Sequence, residues 1–445
     1  MLPTVMESYG VSDRTKMKLL CITTLLLVSQ VTTQNTRYDG HEVLKIFPKT
    51  TNEASYVLNM VQKYGLDVWH VHHNDSSLDV KIWPTISSTV KQDLTNTRIP
   101  FFTWIKDIQS LIDQQFAPIT SHVNKRATQQ FMFTVYHSFA QIEAYVASLS
   151  QDTGTGPSGD SIYSSNAVIG YTEENRQIHL VKISKPSNQA KKAIFVDGGI
   201  HAREWISPAF VLYLIDQLKY NPDQLQSVED LVDTYDWYIV PVLNPDGYSY
   251  SFASDRLWRK NRRTNSGTSC HGVDLNRNFG YQWNPAIGGS TSACSDVFSG
   301  VSAFSEAESK AIRDYFANSN ADFISYLTVH SYGQMWLYPW GYTSALPNDY
   351  VDLDAAGNTA RDAIRTRFNT RYTVGSSTNV LYSAAGGSDD YAKGGAGIKY
   401  SYTLELRDTG RYGFVLPESS IIPTCQETMD GVIAFANDLK VLPQT

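Results

Sequence analysis

Residues 191–208 read KKAIFVDGGIHAREWISP, and the fold follows from how this stretch is parsed. Its first half is a short apolar run between charged ends, closed by Gly198 and Gly199, which reads as a buried strand. Its second half leads into residues 210–220 (FVLYLIDQLKY), apolar at helical spacing, and Pro208 suits the start of that helix. His201 and Glu204 therefore lie on a tight strand-to-helix turn, where side chains three residues apart can converge on one point. An imidazole and a carboxylate so placed are two ligands of a zinc site, provided a third arrives from elsewhere. In a chain with 10 His and 44 acidic residues such a pair also arises by chance, as a surface His beside a Glu.

Outward from this stretch, residues 178–184 (IHLVKIS) and 237–243 (WYIVPVL) read as flanking strands. Residues 322–329 (DFISYLTV) form another, terminated by His330. From Phe131 onward strands alternate with helices, the pattern of an α/β protein whose mixed central sheet is flanked by helices. In such sheets function gathers at loops beyond the carboxyl ends of the strands, where His201 and His330 both sit. A second His at the end of a neighbouring strand completes three ligands and leaves one position for water.

Towards the amino end, residues 37–115 form a small α+β unit of their own. Strands are expected at 41–47, 68–72 and 78–83, and helices at 53–64 and 105–115. A connector at 117–124 ends in Lys125-Arg126, which reads as a cleavage site for a trypsin-like protease or as two solvated charges. His70, His72 and His73 read as strand-surface histidines: the first two share a face, the third points away, and no carboxylate or Cys completes a metal set. Residues 17–33 (MKLLCITTLLLVSQVTT) have the lysine-then-apolar order of a secretory signal peptide, too short to span a bilayer. No other stretch is apolar enough to cross one, so no membrane association is expected. With Cys21 in the signal, Cys270 and Cys294 can close one loop, and Cys425 is the odd one out or a buried thiol. Asn74-Asp75-Ser76 is a glycosylation sequon.

The 445 residues suit two or three domains, and 42 % hydrophobic against 18 % charged residues supports large packed cores. A net charge of −7 disfavours nucleic acid as a partner and is compatible with basic substrates.

Seven motifs carry a resemblance: GIHAREWI at 199–206, NPDGY at 244–248, RLWRKNRR at 256–263, DLNRNF at 274–279, HSYGQ at 330–334, LYSAAGGSDD at 381–390 and ELRDTGRYGF at 405–414. In that order they resemble the zinc metallocarboxypeptidases of the digestive carboxypeptidase A/B family, in precursor form and B-like. The resemblance implies a ferredoxin-like α+β activation domain ahead of the catalytic one. Residues 1–33 are then an upstream extension and signal, 34–126 the pro-domain and connector, and 127–445 the catalytic domain. Cleavage between Arg126 and Ala127 by a trypsin-like protease would activate the precursor. The resemblance also implies Zn2+ held by His201, Glu204 and His330, with Glu405 as general base and Arg259 stabilising the oxyanion. Asn276, Arg277 and Tyr382 would hold the substrate's terminal carboxylate, and Arg203 would touch a secondary subsite. Cys270 and Cys294 match the family's loop disulfide.

Without the resemblance, Glu405 reads as a salt-bridge partner of Arg407 or Arg411, the 256–263 arginines as a solvated basic run, and Arg203 as an exposed loop charge. Asp389 stands where members preferring apolar termini carry an apolar residue, which favours terminal Lys or Arg; an Asp389 turned away would leave an A-like or broad pocket. Ser377 and Gly341 are small enough to leave room for a long side chain. Relative to the spacing that the resemblance implies, one residue too many is expected in 391–397. Peptide and protein C-termini are the expected partners, with proteinaceous carboxypeptidase inhibitors, and a monomer secreted to the extracellular space, with the gut lumen as its setting, is the expected state. A non-catalytic peptide-end binder predicts a missing ligand or base, yet all four residues are present, and no HExxH endopeptidase motif occurs.

Overall fold

The computed structural model describes residues 36–72, 75–123, 131–149, 154–155, 161–221 and 225–444. The signal segment, His73, Asn74, Lys125, Arg126 and Ala127 lie outside these residues.

The first unit runs β1 (Glu42–Ile46), α1 (Thr51–Tyr64), β2 (Asp67–His72), β3 (Ser77–Ile82), α2 (Ser87–Asn96), β4 (Phe101–Ile105) and α3 (Ile108–Val123). Its four strands pair in the order β2-β3-β1-β4, the ferredoxin-like arrangement of two interleaved βαβ units. One face of this sheet buries Leu44, Ile46, Val80 and Ile82 against Val57 and Met60 of α1 and Val90 and Leu94 of α2. Its other face carries Val43 and Trp69, which pack with Leu257, Tyr332, Phe414 and Val415 of the larger unit. Two expectations are corrected. Residue 105 ends a strand rather than starting a helix, because Asp107 Oδ1 caps the helix by accepting from Gln109 N at 3.0 Å. That helix continues through residues 117–123, so the expected connector is helical there.

The second unit contains α4 (Phe139–Leu149), β5 (Gly154–Thr155), β6 (Ser161–Tyr171), β7 (Gln177–Ser184), β8 (Lys192–Gly198), α5 (Ile206–Tyr220), α6 (Gln226–Thr234), β9 (Tyr235–Val240) and α7 (Pro245–Ala253). It goes on with α8 (Ala307–Asn318), β10 (Asp322–Ser331), β11 (Met335–Tyr338), α9 (Tyr350–Phe368), β12 (Thr373–Ser376), α10 (Ser377–Val380), α11 (Ser388–Asp390), β13 (Tyr400–Leu406) and α12 (Ile421–Asp438). Nine strands form one mixed sheet in the order β12-β11-β13-β10-β8-β9-β7-β6-β5. Its centre, β13-β10-β8-β9, is parallel. Alternate residues of β8 serve opposite cores: Ile194 and Val196 pack with α4, α5, α9 and α12, while Ala193 and Phe195 face α8. β9 stops at Val240, short of the expected 243, because Pro241 has no N–H for the ladder. Residues Tyr391–Gly395, within the stretch expected to carry a surplus residue, form a π-helical turn directly after α11.

The histidines of β2 also differ from expectation. His70 is buried at the contact between the units, its ring stacked 5.3 Å from that of Tyr332. His72 lies beside it with ring centroids 4.4 Å apart. Asp79, opposite His70 on β3, is 2.9 Å from His72 Nε2 and accepts from Tyr332 Oη at 3.1 Å. Lys45 on β1, Asp75 and, from the larger unit, Arg371 line the same cleft. Burial, with His72 and Lys45 alongside, pushes the pKa of His70 down to about 3, from about 6.5 in solvent. The docked state therefore binds fewer protons, and docking is at full strength above pH 6.5 and weakens as pH falls towards 3. His72 and Lys45 stay beside His70 in the free first unit, so only the part of the shift due to burial against the larger unit counts towards docking. The dissociation constant of the cleaved first unit should rise between pH 7 and pH 5, and the rise should shrink in His70→Gln. An identical rise in the variant would contradict this.

Candidate active site

β8 ends in two glycines because side chains do not fit there. A Cβ on Gly198 would come 2.8 Å from Val211 Cγ2, and Gly199 has φ of +66°. Ser207 pins the resulting turn by accepting from Gly199 N at 2.9 Å and donating to Val329 O at 2.5 Å. Pro208 falls in the first turn of α5, which begins at Ile206. The turn lays His201 and Glu204 over the carboxyl end of β10, where His330 sits one residue before the strand ends.

All three side chains are buried, and one ligand atom from each lies within 4.8 Å of the others. His201 Nδ1 is 2.8 Å from Glu204 Oε1, and His330 Nδ1 is 3.0 Å from Glu204 Oε2 and 3.1 Å from His201 Nδ1. Behind them, His201 Nε2 donates to Asp274 Oδ1 at 3.1 Å, and His330 Nε2 lies 3.2 Å from Thr328 Oγ1. Asp274 holds the proton of His201 on Nε2, so the Nδ1 lone pair of that imidazole and the Glu204 carboxylate face the second histidine, an arrangement that suits a cation among them. Two His and one carboxylate, with the fourth side open to a cavity, fit catalytic zinc.

Glu405 reaches the same place from β13, whose parallel register sets it beside His330. Its Oε2 is buried and makes no hydrogen bond. Burial, opposed by His330 and Arg259 and reinforced by Glu204, pushes its carboxyl up to about 8; a divalent cation among the three ligands would act the other way and favour the charged carboxylate. Neither Arg407 nor Arg411 pairs with it; Arg407 is bound to Glu427. Arg259 donates from Nε and Nη2 to Asp274 Oδ2 at 3.1 and 2.9 Å, which leaves Nη1 3.9 Å from Glu204 Oε1. Burial works against the charge on Asp274, but Arg259, Arg277 and His201 hold it well below the usual carboxylate range. Asp274 was legible only as part of a motif; it links a ligand histidine to an arginine.

A cavity of about 520 Å³ joins these residues to the rest of the site. Arg277 is anchored by Nε on Gly288 O at 2.8 Å and Nη1 on Asn276 O at 2.9 Å, and no acceptor among the described residues takes Nη2. Asn276 Oδ1 accepts from Ser388 N at 2.9 Å, which leaves its NH₂ for a ligand. Tyr382 stands at the rim, 44 % exposed. Asp389 lines the cavity with Gly341, Ser377 and Thr403. Its carboxylate is buried, accepts from Ser377 Oγ at 3.2 Å and Asp390 N at 2.9 Å, and has no ion-pair partner among the described residues. Cys270 and Cys294 are joined, and Cys425 is a buried free thiol.

In the uncut chain Arg203 is occupied by the first unit and is not an exposed loop charge. It lines no part of the cavity and is neither exposed nor free: 2 % exposed, it lies over the Phe414 ring and donates to Asp67 Oδ2 of β2 at 2.9 Å. Val68, His70, Val71 and Leu78 of the first unit roof the cavity beside it.

A buried His-Glu-His centre, an unpartnered carboxylate and two arginines at the carboxyl edge of a mixed α/β sheet define a metallohydrolase. Comparison with known proteins makes this specific. Residues 160–431 match the zinc carboxypeptidase family model, and residues 44–115 match that of the carboxypeptidase activation peptide. Carboxypeptidase B of Astacus astacus is 46 % identical over 309 residues, 69 % of this chain and 98 % of its own. Carboxypeptidase B of Rattus norvegicus is 36 % identical, covering 94 % of this chain and 98 % of its own. The solved structure of carboxypeptidase A from Helicoverpa armigera superposes with a TM-score of 0.79 at 31 % identity, covering 90 % of this chain and 98 % of its own. The chain belongs to the zinc carboxypeptidase family and carries its activation peptide, as the zymogen of a metallocarboxypeptidase.

Proposed function

We propose that the chain is the secreted precursor of an exopeptidase that removes terminal Lys or Arg. Residues 34–126 form the pro-domain and connector, and cleavage after Arg126 by a trypsin-like protease frees a catalytic domain starting at Ala127. The signal-like residues 17–33 support secretion, and among the described residues no helix is long and apolar enough to cross a membrane.

His201, Glu204 and His330 hold zinc, which supplies a Lewis acid for the scissile carbonyl and lowers the pKa of water. Arg277, Asn276 and Tyr382 bind the substrate's terminal carboxylate, where the free guanidinium edge and the amide offer N–H donors to two oxygens. That contact restricts cleavage to the last peptide bond. Glu405 Oε2 takes a proton from the attacking water and returns it to the leaving amine. Arg259 offers Nη1 to the oxygen that gains charge. Proteinaceous inhibitors that present a C-terminus would occupy the same cavity.

The observation that carries the specificity is Asp389, a buried carboxylate at the cavity wall with no cation to pair with. An incoming ammonium or guanidinium supplies that cation, and an apolar side chain leaves the carboxylate desolvated and alone. Asp389→Leu should lower the ratio of kcat/KM for a terminal Lys peptide over the matched Leu peptide by about 2 kcal/mol, ~30-fold. An unchanged ratio would favour the A-like alternative, which the likeness to carboxypeptidase A keeps in view.

A further inference from the structure

His201 is fixed by a carboxylate in direct contact, whereas His330 meets only a hydroxyl. Tyr326, Thr328 and His330 occupy alternate positions of β10 and so share one face of the sheet. Across the parallel ladder, Thr328 is the register partner of Asp197 on β8. Thr328 Oγ1 is 2.8 Å from Asp197 Oδ1, and Tyr326 Oη is 2.5 Å from Asp197 Oδ2. All three residues are fully buried, and Asp197 has no ion-pair partner among the described residues. An ionised carboxylate has no proton to give, so both hydroxyls donate to it. The Thr328 oxygen then has only lone pairs left for His330 Nε2, 3.2 Å away.

We propose that Thr328, oriented by Asp197 and Tyr326, is the positioning residue that makes His330 a metal ligand through Nδ1. Because Thr328 accepts and does not donate, it holds the proton of His330 on Nε2, which leaves the Nδ1 lone pair directed at Glu204 and His201. A donor at the same place would reverse the tautomer and put a proton where the metal belongs. The relay rests on the zinc-site reading, but it makes its own prediction about tautomer and metal affinity. Burial pushes Asp197 up to about 6 against the two hydroxyls and His330. The relay therefore operates at neutral pH, where the carboxylate is charged.

The test uses the full chain, stripped of metal by a chelator and titrated with zinc in competition with a chelator of known affinity. Thr328→Val keeps the shape and removes the hydroxyl, and zinc affinity should fall 10- to 100-fold, on the order seen when such outer partners are lost. Thr328→Ser restores the hydroxyl and should restore the wild-type affinity, a rescue that packing alone does not explain. Wild-type affinity in Thr328→Val, or an equal loss in Thr328→Ser, would overturn the proposal. If the Thr328→Val chain fails to fold, the ¹⁵N-histidine spectrum of the metal-free wild-type chain decides, recorded where His330 is neutral. An Nε2–H tautomer supports the relay and an Nδ1–H tautomer overturns it.

Discussion

Replacing Glu405 by Gln should lower kcat/KM of the trypsin-cleaved protein by about 10³-fold, within the 10²–10⁴ that a positioned proton acceptor contributes. Gln keeps the shape and an acceptor oxygen but cannot carry a proton between water and the leaving amine. The expected change lies in kcat, since Glu405 takes no part in holding the terminal carboxylate. Zinc content, measured on the same preparation, should stay at one per chain, because Glu405 is a strand away from the three converging ligand atoms. Full activity in Glu405→Gln would remove it from the base role, and loss of zinc would make it part of the metal's support.

Asp67→Ala should loosen the pro-domain in the uncut chain by about 3–5 kcal/mol, a shift of ~10²- to 5 × 10³-fold towards the open state. Asp67 Oδ2 takes the Arg203 guanidinium at 2.9 Å, the Lys81 ammonium at 3.1 Å and Trp69 Nε1 at 3.0 Å. Removing the carboxylate leaves two buried cations facing each other across the contact between the units. The readout is the rate at which the uncut chain cleaves a short peptide, relative to the trypsin-cleaved chain. The variant's ratio should rise towards one, and an unchanged ratio would show that the apolar contacts hold the pro-domain alone. Burial opposes the charge on Asp67, but Arg203 and Lys81 hold its pKa well below the usual range. Its contribution is therefore complete above the ordinary carboxylate pKa of about 4 and is lost only as pH falls below that. The weakening expected from His70 between pH 7 and pH 5 therefore does not involve Asp67, and these two effects separate by pH.

The ligand turn was legible because its signals are local: an apolar strand, two glycines and an amphipathic helix within 30 residues. His330 was legible for the same reason, as the polar end of an apolar strand. Glu405 was not legible from pattern. Its strand, YSYTLEL, mixes Ser, Thr and Tyr with leucines, because Ser401 is spent on Asp389 O and Tyr402 on Leu353 O inside the core. Only the resemblance singled it out. The pairing of Arg203 in the uncut chain was not legible either, since its partner Asp67 lies 136 residues away, beyond any local rule. In the pro-domain, α2 (SSTVKQDLTN) is short and rich in Ser and Thr, which weakens its helical signal. The strand FFTWI next to it was overlooked beside a longer helical pattern. Burial of His70 likewise depends on Tyr332 from the other unit.

The proposed zinc exopeptidase reads a basic terminal residue through Asp389. Its most direct test is release of the last residue from matched peptides ending in Lys, Arg, Leu or Phe by the trypsin-cleaved protein, with and without a zinc chelator. Release of Lys and Arg that the chelator stops and added zinc restores is expected. Release of Leu or Phe in preference to Lys and Arg, or release that survives complete removal of zinc, would contradict it.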